Sequence, residues 1–334
     1  MRWATPFALA LALACSKETP APSETPPAAP VTEVVPPSPP VAPSGAAVEA
    51  SSGSPIAAMK LLDAGRAPRR KLRYAWRLDR KERVSIDLRT STSTEIRGEK
   101  PTEVPLPPVH ILIAIDPQSV TGDGALLYAW RVASTAVAEN HETPSQVADG
   151  MRTEVAAIEH LSGTAKVNAR GLAEEIVVDP GSVEDAGSTG QMIEQIRQIL
   201  RDLAAPFPED DVGQGARWEK LSQLASKDAR ITQTDTFSLL ELTGTKGTVD
   251  DMLAQTAPAQ ALATSGTASG AQARLESMLA SGDAKTHFDL SRLAPETRFD
   301  GTTTMAVSSQ APSEGSRHLT MIMRIEIAIA GSLP

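Results

Sequence analysis

The side chains that could do acid–base or metal chemistry in this chain are few and widely spaced. The chain has five histidines, which are His110, His141, His160, His287 and His318. No two of them have the spacing of a zinc-binding H-E-x-x-H or H-x-H motif. His110 and Asp116 would share a strand face about 20 Å apart. His287 and Asp289 would share another, but a metal there would need further ligands. We therefore predict no metal site and interpret these residues as solvated strand faces.

Two runs of carboxylates are the other candidates for chemistry. Glu174 and Glu175 are adjacent on a predicted strand, so they point to opposite faces and make a poor acid–base couple. The run Glu209-Asp210-Asp211 falls in a predicted turn, where a solvated surface is favoured and weak calcium binding is the alternative. The chain has no G-x-S-x-G motif. The sequence predicts no catalytic residue, no cofactor and no enzymatic activity.

Cys15 is the residue whose position predicts a covalent modification. Met1-Arg2 gives a positive start, and the apolar stretch 7–14 is too short to span a bilayer. The run Ala12-Leu13-Ala14-Cys15 resembles the bacterial lipobox, in which the cysteine is acylated and becomes the mature N-terminus. The resemblance implies that residues 1–14 are a lipoprotein signal peptide and that Cys15 carries the lipid. A secretory signal that is cleaved elsewhere is the alternative.

The same resemblance predicts where the protein resides. Each buried methylene contributes about 0.8 kcal/mol, so several acyl chains on one residue give a stable membrane anchor. Ser16, not aspartate, follows Cys15. In the enterobacterial system that the lipobox resembles, this favours sorting to the outer membrane. We expect a lipid-anchored protein of the bacterial cell envelope, at the outer membrane, on its periplasmic or surface side.

Residues 15–58 have the composition of a disordered tether. Eleven prolines lie between residues 16 and 58, among Ala, Ser, Thr, Glu and Val and without any aromatic residue. Such a segment cannot bury enough apolar surface to offset its ordering entropy. A polyproline II conformation would let it extend to about 130 Å. We interpret it as a spacer, with a proline-rich recognition tract as the alternative.

The overall composition excludes several classes of protein. The formal net charge is −9, which argues against a nucleic-acid binder because such proteins normally carry a basic stripe. A single cysteine excludes a disulfide framework and any multi-cysteine metal site. The sequence predicts the membrane as a partner, through the lipid on Cys15. A lipid ligand or an envelope protein could be a further partner. The oligomeric state stays open.

Residues 59–334 are long enough for a single domain, and their pattern is mostly that of β-strands. Alternation is clearest over 71–78, 84–97, 109–115, 126–139 and 318–329. It is weaker over 163–169, 172–179, 215–225, 229–243, 284–291 and 297–309. Long consecutive strands with short connections predict an antiparallel sheet with one dry face. The predicted fold class is mainly β (α+β), a large curved antiparallel sheet or half-barrel.

Two amphipathic helices are expected to cover the concave face of this sheet. The first is predicted over 144–161, with Thr143 and Gln146 as a capping box, and the second over 189–204, with Ser188 and Gln191. Thr248 and Asp251 could start a short third helix. The stretch 259–282 fits either a helix or a strand.

The run from Pro206 to Trp218 is the most distinctive motif. Its residues alone predict a helix stop at Pro206, burial of Phe207 and Val212, and a tight turn or close backbone approach at Gly213 and Gly215. A phosphate-binding G-x-G loop is disfavoured because a helix precedes these glycines and a strand follows them.

The same run resembles the F-P-x-x-x-V-G-x-G-x-x-W signature of a domain-of-unknown-function family of bacterial envelope lipoproteins. The resemblance covers most of 68–330, and this family has no established catalytic residues to transfer. Its architecture is similar to that of the half-barrel lipoprotein carriers.

Three functional hypotheses follow, and the third, an enzyme, is disfavoured because histidines are sparse. The first is a membrane-anchored structural or protein-partner module whose core is filled by its own side chains. The alternative is a carrier that binds a lipid or another apolar ligand between sheet and helices. A filled interior would favour the former, and an aliphatic cavity of several hundred cubic ångströms would favour the latter.

Overall fold

The computed structural model describes residues 58–96, 99–159, 161–179, 188–225, 230–262, 272–311 and 315–333. The described strands are β1 Ala58–Asp63, β2 Glu82–Ile96, β3 Thr102–Pro105, β4 Val109–Val120, β5 Leu126–Val137, β6 Ser162–Val167, β7 Ala173–Asp179, β8 Arg217–Ala225, β9 Arg230–Thr243, β10 Lys246–Ala257, β11 Gln260–Leu262, β12 Gln272–Asp289, β13 Glu296–Ala311 and β14 Gly315–Ser332. The described helices are α1 Ser145–Ala157 and α2 Ser188–Arg201. Strands thus dominate the described chain, as the sequence pattern predicts.

All 14 described strands belong to one antiparallel sheet. The strand order is β1-β8-β9-β10-β12-β13-β14-β2-β4-β5-β6-β7, with β3 added to β2 and β11 added to β12. β14 and β2 join the two halves of the chain through a long register that runs from Leu319 opposite Ile96 to Ser332 opposite Arg83. The predicted mainly β fold with one large antiparallel sheet is confirmed. No described helix is long and apolar enough to cross a membrane.

One face of the sheet is dry and the other faces solvent. In β14 the buried residues alternate with exposed or half-buried ones, and the buried set is Met321, Met323, Ile325, Ile327 and Ile329. The same two-residue period runs through β4 and β9. Because successive side chains of a strand point to opposite faces, this pattern assigns one face to the core.

Both described helices pack over the dry face. α1 lies against β5 and buries Ala148, Met151 and Val155, while α2 lies near β7 and buries Ile196 and Leu200. The predicted capping box of α1 is wrong: Pro144 is the N-cap residue without a side-chain cap, and the Thr143 hydroxyl donates to the Pro105 carbonyl at 2.7 Å instead. The predicted box at Ser188 and Gln191 lies outside the described side chains.

Residues 64–81, which we call the strap, cross one end of the sheet between β1 and β2. The prediction of a strand over 71–78 is wrong, although Leu72 and Tyr74 are buried as its alternation requires. The strap has no strand partner because its amide groups donate to carbonyls of separate loops. These bonds run from Arg70 to Val212, from Tyr74 to Ala169 and from Ala75 to Leu290.

The strap shows that the sheet is curved. Val212 lies in the segment that leads into β8, near one edge of the sheet, whereas Ala169 lies in the β6–β7 turn at the other edge. A flat sheet would hold these edges too far apart for one short segment to contact both, given a spacing of about 4.8 Å between neighbouring strands. The sheet therefore bends around its core as an open half-barrel.

Two predictions for the middle of the chain need correction. The helix predicted near Thr248 and Asp251 is instead strand β10, paired with β9 and β12. Of the ambiguous stretch 259–282, the described parts are strands, namely β11 and the first half of β12. β1, β3 and β10 have no counterpart among the predicted strands, and β12 begins earlier than the predicted 284–291.

Candidate functional site

The signature segment 206–218 lies between the strap and the sheet. Phe207 and Val212 are fully buried, as predicted, and Trp218 is fully buried as well. The Trp218 indole N–H donates to the Pro206 carbonyl at 3.2 Å, which fixes the start of β8 against this segment. The Phe207 ring makes an edge contact with Phe288 at 4.9 Å between centroids. The segment therefore serves as an internal strut that joins the strap, β8 and β12.

Gly213 and Gly215 have the roles predicted from their type. A Cβ atom at Gly213 would lie 1.9 Å from the Arg66 carbonyl oxygen, so only glycine fits there. Gly215 has a φ of +83°, in the left-handed region that favours glycine. Gly213 thus lets the strap approach the segment closely, whereas Gly215 permits the turn before β8, and both roles are structural.

Glu209 ties three basic side chains together at the surface of the strut. Its carboxylate lies 2.9 Å from the Arg73 guanidinium, 3.6 Å from the Lys71 ammonium and 3.7 Å from Arg170. Arg73 is the main reason that the pKa of Glu209 lies below its ordinary value. Because Glu209 is occupied by cations, the weak calcium site considered for Glu209-Asp210-Asp211 has no support.

A belt of buried polar side chains crosses the concave face on β8, β9 and β10. Each member on a strand occupies one of the alternate positions whose side chains are buried. The members are Lys220, Ser222, Gln233, Asp235, Asp251 and Gln255, with Asp202 added after the end of α2. We call this set the polar belt. The polar belt was not predicted, although Gln233 and Asp235 have the same parity as the apolar Ile231 and Phe237 in the predicted strand.

Lys220 is the cation of the polar belt. Its ammonium lies 3.3 Å from an Asp235 carboxylate oxygen and 3.7 Å from Asp202, and 5.6 Å from the centre of the Phe237 ring. The Gln233 amide donates to Asp235 at 2.6 Å, and the Gln255 amide donates to Gln233 at 2.8 Å. Asp202 also accepts a hydrogen bond from Gln198 of α2. The belt thus connects the end of α2 to the floor of the sheet.

Asp251 is the member of the polar belt whose titration is most altered. Burial raises its pKa to about 6, with a further contribution from the neighbouring charge of Asp235 and an opposing one from Lys220. The group therefore changes charge close to neutral pH. A buried cluster that mixes charges and amides can be a catalytic site or a structural network.

A second apolar cluster lies beyond the polar belt. Its members come from β9 to β14, with no helical residue among those described, and they are Ile231, Ala257, Leu262, Leu275, Met278, Met305, Val307 and Met321. The main core holds the helices, the strut and the strap. Met278, Met305 and Met321 are consecutive partners across three strands. We call this second set the methionine cluster.

Two surface cavities lined by described residues are mainly polar. One, of about 330 Å³, is lined by residues of β9, β10, β12 and the loop that follows β12, including Glu241, Thr248, His287, Arg292 and Glu296. The other, of about 580 Å³, lies at the strap and is lined by Leu61, Ala64, Arg69, Lys71, Glu209, Asp210 and Asp211. Neither has the aliphatic lining that an acyl chain requires.

The histidines that the structure describes are far apart and occupy the outer face or turns. His110 lies 2.9 Å from Asp87 across β4 and β2, and Asp116 instead pairs with Lys81 at 2.7 Å. The His287 ring hydrogen-bonds the Thr248 hydroxyl at 3.0 Å, whereas Asp289 accepts hydrogen bonds from Ser291. His141 and His318 are exposed. No set of three or more metal-ligating side chains converges among the described residues.

The remaining candidates are separated in the same way or lie elsewhere. Glu174 pairs with Lys166 at 2.8 Å, and Glu175 lies next to it on the exposed edge strand β7, so the two do not form a couple. Cys15, the signal peptide 1–14 and nearly all of the predicted tether precede the described residues, and His160 also lies outside them.

Comparisons with known proteins show no family for this chain. No family model matches this chain, and no curated protein matches it. A crystal structure of Pseudomonas aeruginosa OpdQ aligns at 7% sequence identity over 75% of this chain and 99% of that chain, with a TM-score of 0.19. A score that low carries no argument about fold or function. The resemblance of residues 206–218 to the envelope lipoprotein family stays a prediction.

Proposed function

We propose that this chain is an envelope lipoprotein, acylated at Cys15, whose β domain acts as a non-catalytic structural or protein-partner module. The observation that carries the proposal is the continuous buried core that the sheet, the helices and the strut share. Helix side chains such as Met151 and Leu200, the strut residue Phe207 and the sheet residues Tyr128 and Trp218 belong to one continuous buried core. A core packed by its own side chains leaves little volume for a ligand between sheet and helices.

The hydrogen bonds and ion pairs of the polar side chains also support a module without catalysis. His110 and Asp87 form an exposed pair, and Glu209 is shared by three cations. In the polar belt, Lys220 bonds the end of α2 to β9. These partners are the ones expected of groups that join elements of a fold.

One observation favours the carrier as a second candidate. The methionine cluster places flexible, polarizable side chains on strands that the helices do not reach. Methionine adapts to irregular apolar partners and is common on surfaces that bind varied ligands. A lipid or another apolar molecule on this part of the concave face would suit that chemistry.

Native mass spectrometry separates the two candidates. The full chain is purified from a membrane fraction in a mild detergent, exchanged into volatile buffer, and then extracted with organic solvent. A structural module should give a protein mass that is accounted for by its covalent anchor alone. A stoichiometric apolar molecule that survives purification, and is lost from a Met305→Asp variant, would establish the carrier and overturn the module.

A further inference from the structure

The strap and the start of β2 form a strongly basic stretch in an acidic protein. Residues 66–83 contain nine basic and two acidic side chains, a net charge of +7, so the rest of the chain carries −16 to reach the total of −9. Such asymmetry creates a field of one sign over one end of a molecule and can select its partners.

Several of these positive charges have no carboxylate partner. Arg69 and Arg70 donate to the backbone carbonyls of Gly65 and Gly244, which leaves their charges uncompensated. Among the described residues, no carboxylate lies within 4 Å of Arg66, Arg80 or Arg83, whereas Arg77 and Lys81 are paired with aspartates. The hydrogen bond from Arg77, with help from the charge of Arg80, lowers the pKa of Asp79. We call Arg66, Arg69, Arg70, Arg80 and Arg83 the basic stripe. All of its members except the half-buried Arg80 are exposed.

An exposed leucine lies within the same stretch. Leu78 is at the tip of a turn, between Arg77 and Arg80, and its exposed fraction is 48%. It breaks the alternation that buries Leu72 and Tyr74 in the same strap. An aliphatic side chain flanked by arginines suits the boundary between phospholipid headgroups and acyl chains better than it suits a soluble polyanion.

We propose that the basic stripe is a second membrane contact, which docks the strap end of the half-barrel on a surface of anionic phospholipids. Arginine guanidinium groups bind phosphate oxygens in pairs, and Leu78 would enter the boundary below them. The acidic remainder of the domain would be repelled, so the sheet would stand with its strap end toward the lipid. The proposal rests on the proposed function only in that the anchor at Cys15 supplies the nearby membrane.

Two aspartates limit this contact. Asp210 and Asp211 line the same cavity as Arg69 and Lys71, at one end of the stripe. Their charges oppose the attraction to an anionic surface. Neutralising them in an Asp210→Asn, Asp211→Asn variant should therefore strengthen vesicle binding, which a purely apolar contact would not predict.

The test uses the full chain with Cys15→Ser, which removes the acylation site and isolates the stripe. Its co-sedimentation is measured with vesicles of phosphatidylcholine alone and with vesicles that also contain about 30% phosphatidylglycerol. Binding should require the anionic lipid and should fall as salt is raised from about 0.05 M to about 0.5 M. Because each basic residue at such a surface strengthens binding about fivefold, Arg66→Gln, Arg80→Gln, Arg83→Gln should weaken it about 100-fold.

A matched control removes three arginines from the outer face of the sheet. Arg89→Gln, Arg298→Gln and Arg324→Gln change the net charge equally, affect exposed residues, and should leave vesicle binding nearly unchanged. Equal losses in both variants, binding to neutral vesicles, or no binding to anionic vesicles would each overturn the proposal. Acylation at Cys15 is scored separately by mass, so failure of the stripe is distinguishable from failure of the anchor.

Discussion

The polar belt shows how much the chemistry of single residues shapes this fold. Lys220 and Asp235 occupy positions that the strand period assigns to the core, and both are almost fully buried. Buried charges are tolerated only when they are paired and hydrogen-bonded, which the Gln233 amide and Asp202 help to provide. Such a network fixes the position of the end of α2 more uniquely than aliphatic contacts would.

Removal of the Lys220 ammonium should lower the stability of the fold, because its partner carboxylates would stay buried. Lys220→Met leaves Asp235 and Asp202 buried without their cation, which should lower the free energy of unfolding by about 3–5 kcal/mol. Urea denaturation followed by tryptophan fluorescence measures the loss. The double variant Lys220→Met, Asp235→Asn should recover part of it. A double variant as unstable as the single one would show that charge compensation is not the reason.

Asp251 should make stability depend on pH between about 4 and 6. An aspartate in the unfolded chain titrates near pH 3.9, whereas the pKa of Asp251 in the fold is about 6. A raised pKa means that the folded state holds the proton more tightly. The free energy of unfolding should therefore fall as pH rises through this window.

The variant Asp251→Asn should lose this component of the pH dependence. Urea denaturation at pH 4, 5, 6 and 7 should show the variant gaining on the natural chain as pH rises, by up to about 3 kcal/mol. A difference between the two proteins that does not change with pH would contradict the raised pKa.

Gly213 should tolerate no side chain. In Gly213→Ala the new Cβ would meet the Arg66 carbonyl, and separation of the strap from the strut should cost about 2–3 kcal/mol. Gly122→Ala is the matched control, because nothing lies within 4 Å of its Cβ position. Thermal unfolding of both variants checks the difference, and equal melting temperatures would refute the close approach.

At the scale of elements, the two-residue period of the sequence predicts which side chains face the core better than it predicts which strands pair with one another. β14 and the first part of β2 are predictable because their core positions are apolar, as at Val84, Ile86 and Leu88 of β2. β10 is missed because Asp251 and Gln255 hold two of its core positions, so its alternation looks polar. The strap is mistaken for a strand because alternation at Leu72 and Tyr74 reports burial but not where the amide hydrogen bonds go.

The candidate polar belt was only partly predictable for the same reason. The parity of Gln233 and Asp235 is visible in the sequence, but their meeting with Lys220 depends on the β8–β9 register, which places Lys220 opposite Asp235. Asp202 arrives from a different element altogether. The separation of the histidines, by contrast, follows directly from their spacing.

A pair of leucines in the strap tests whether it is part of the core. Leu72→Ala should lower the free energy of unfolding by about 2–5 kcal/mol, because Leu72 is fully buried. Leu78→Ala, an identical change at the exposed turn, should alter it by less than about 0.5 kcal/mol. Chemical denaturation compares them, and similar effects would mean that the strap does not close the end of the sheet.

At the scale of the whole molecule, we propose an open half-barrel that a lipid holds at a membrane. The sheet buries one face under two described helices, the strut and the strap, which together form its main core. The lipid would then hold the protein at the membrane, and the domain would present a surface to a protein partner. The basic stripe would orient that surface, while the polar belt would hold the helices in place.

The mass of the mature N-terminal peptide tests the central claim most directly. The full chain is expressed in a bacterium with a lipoprotein-processing pathway, extracted from membranes, digested, and its first peptide measured by mass spectrometry. We predict a peptide that begins at Cys15 and carries acyl chains, and we expect a Cys15→Ala variant to be washed from membranes at high salt, which also weakens the contact of the basic stripe. A peptide that begins elsewhere, or a Cys15 with a free thiol in a protein recovered without membranes, would contradict it.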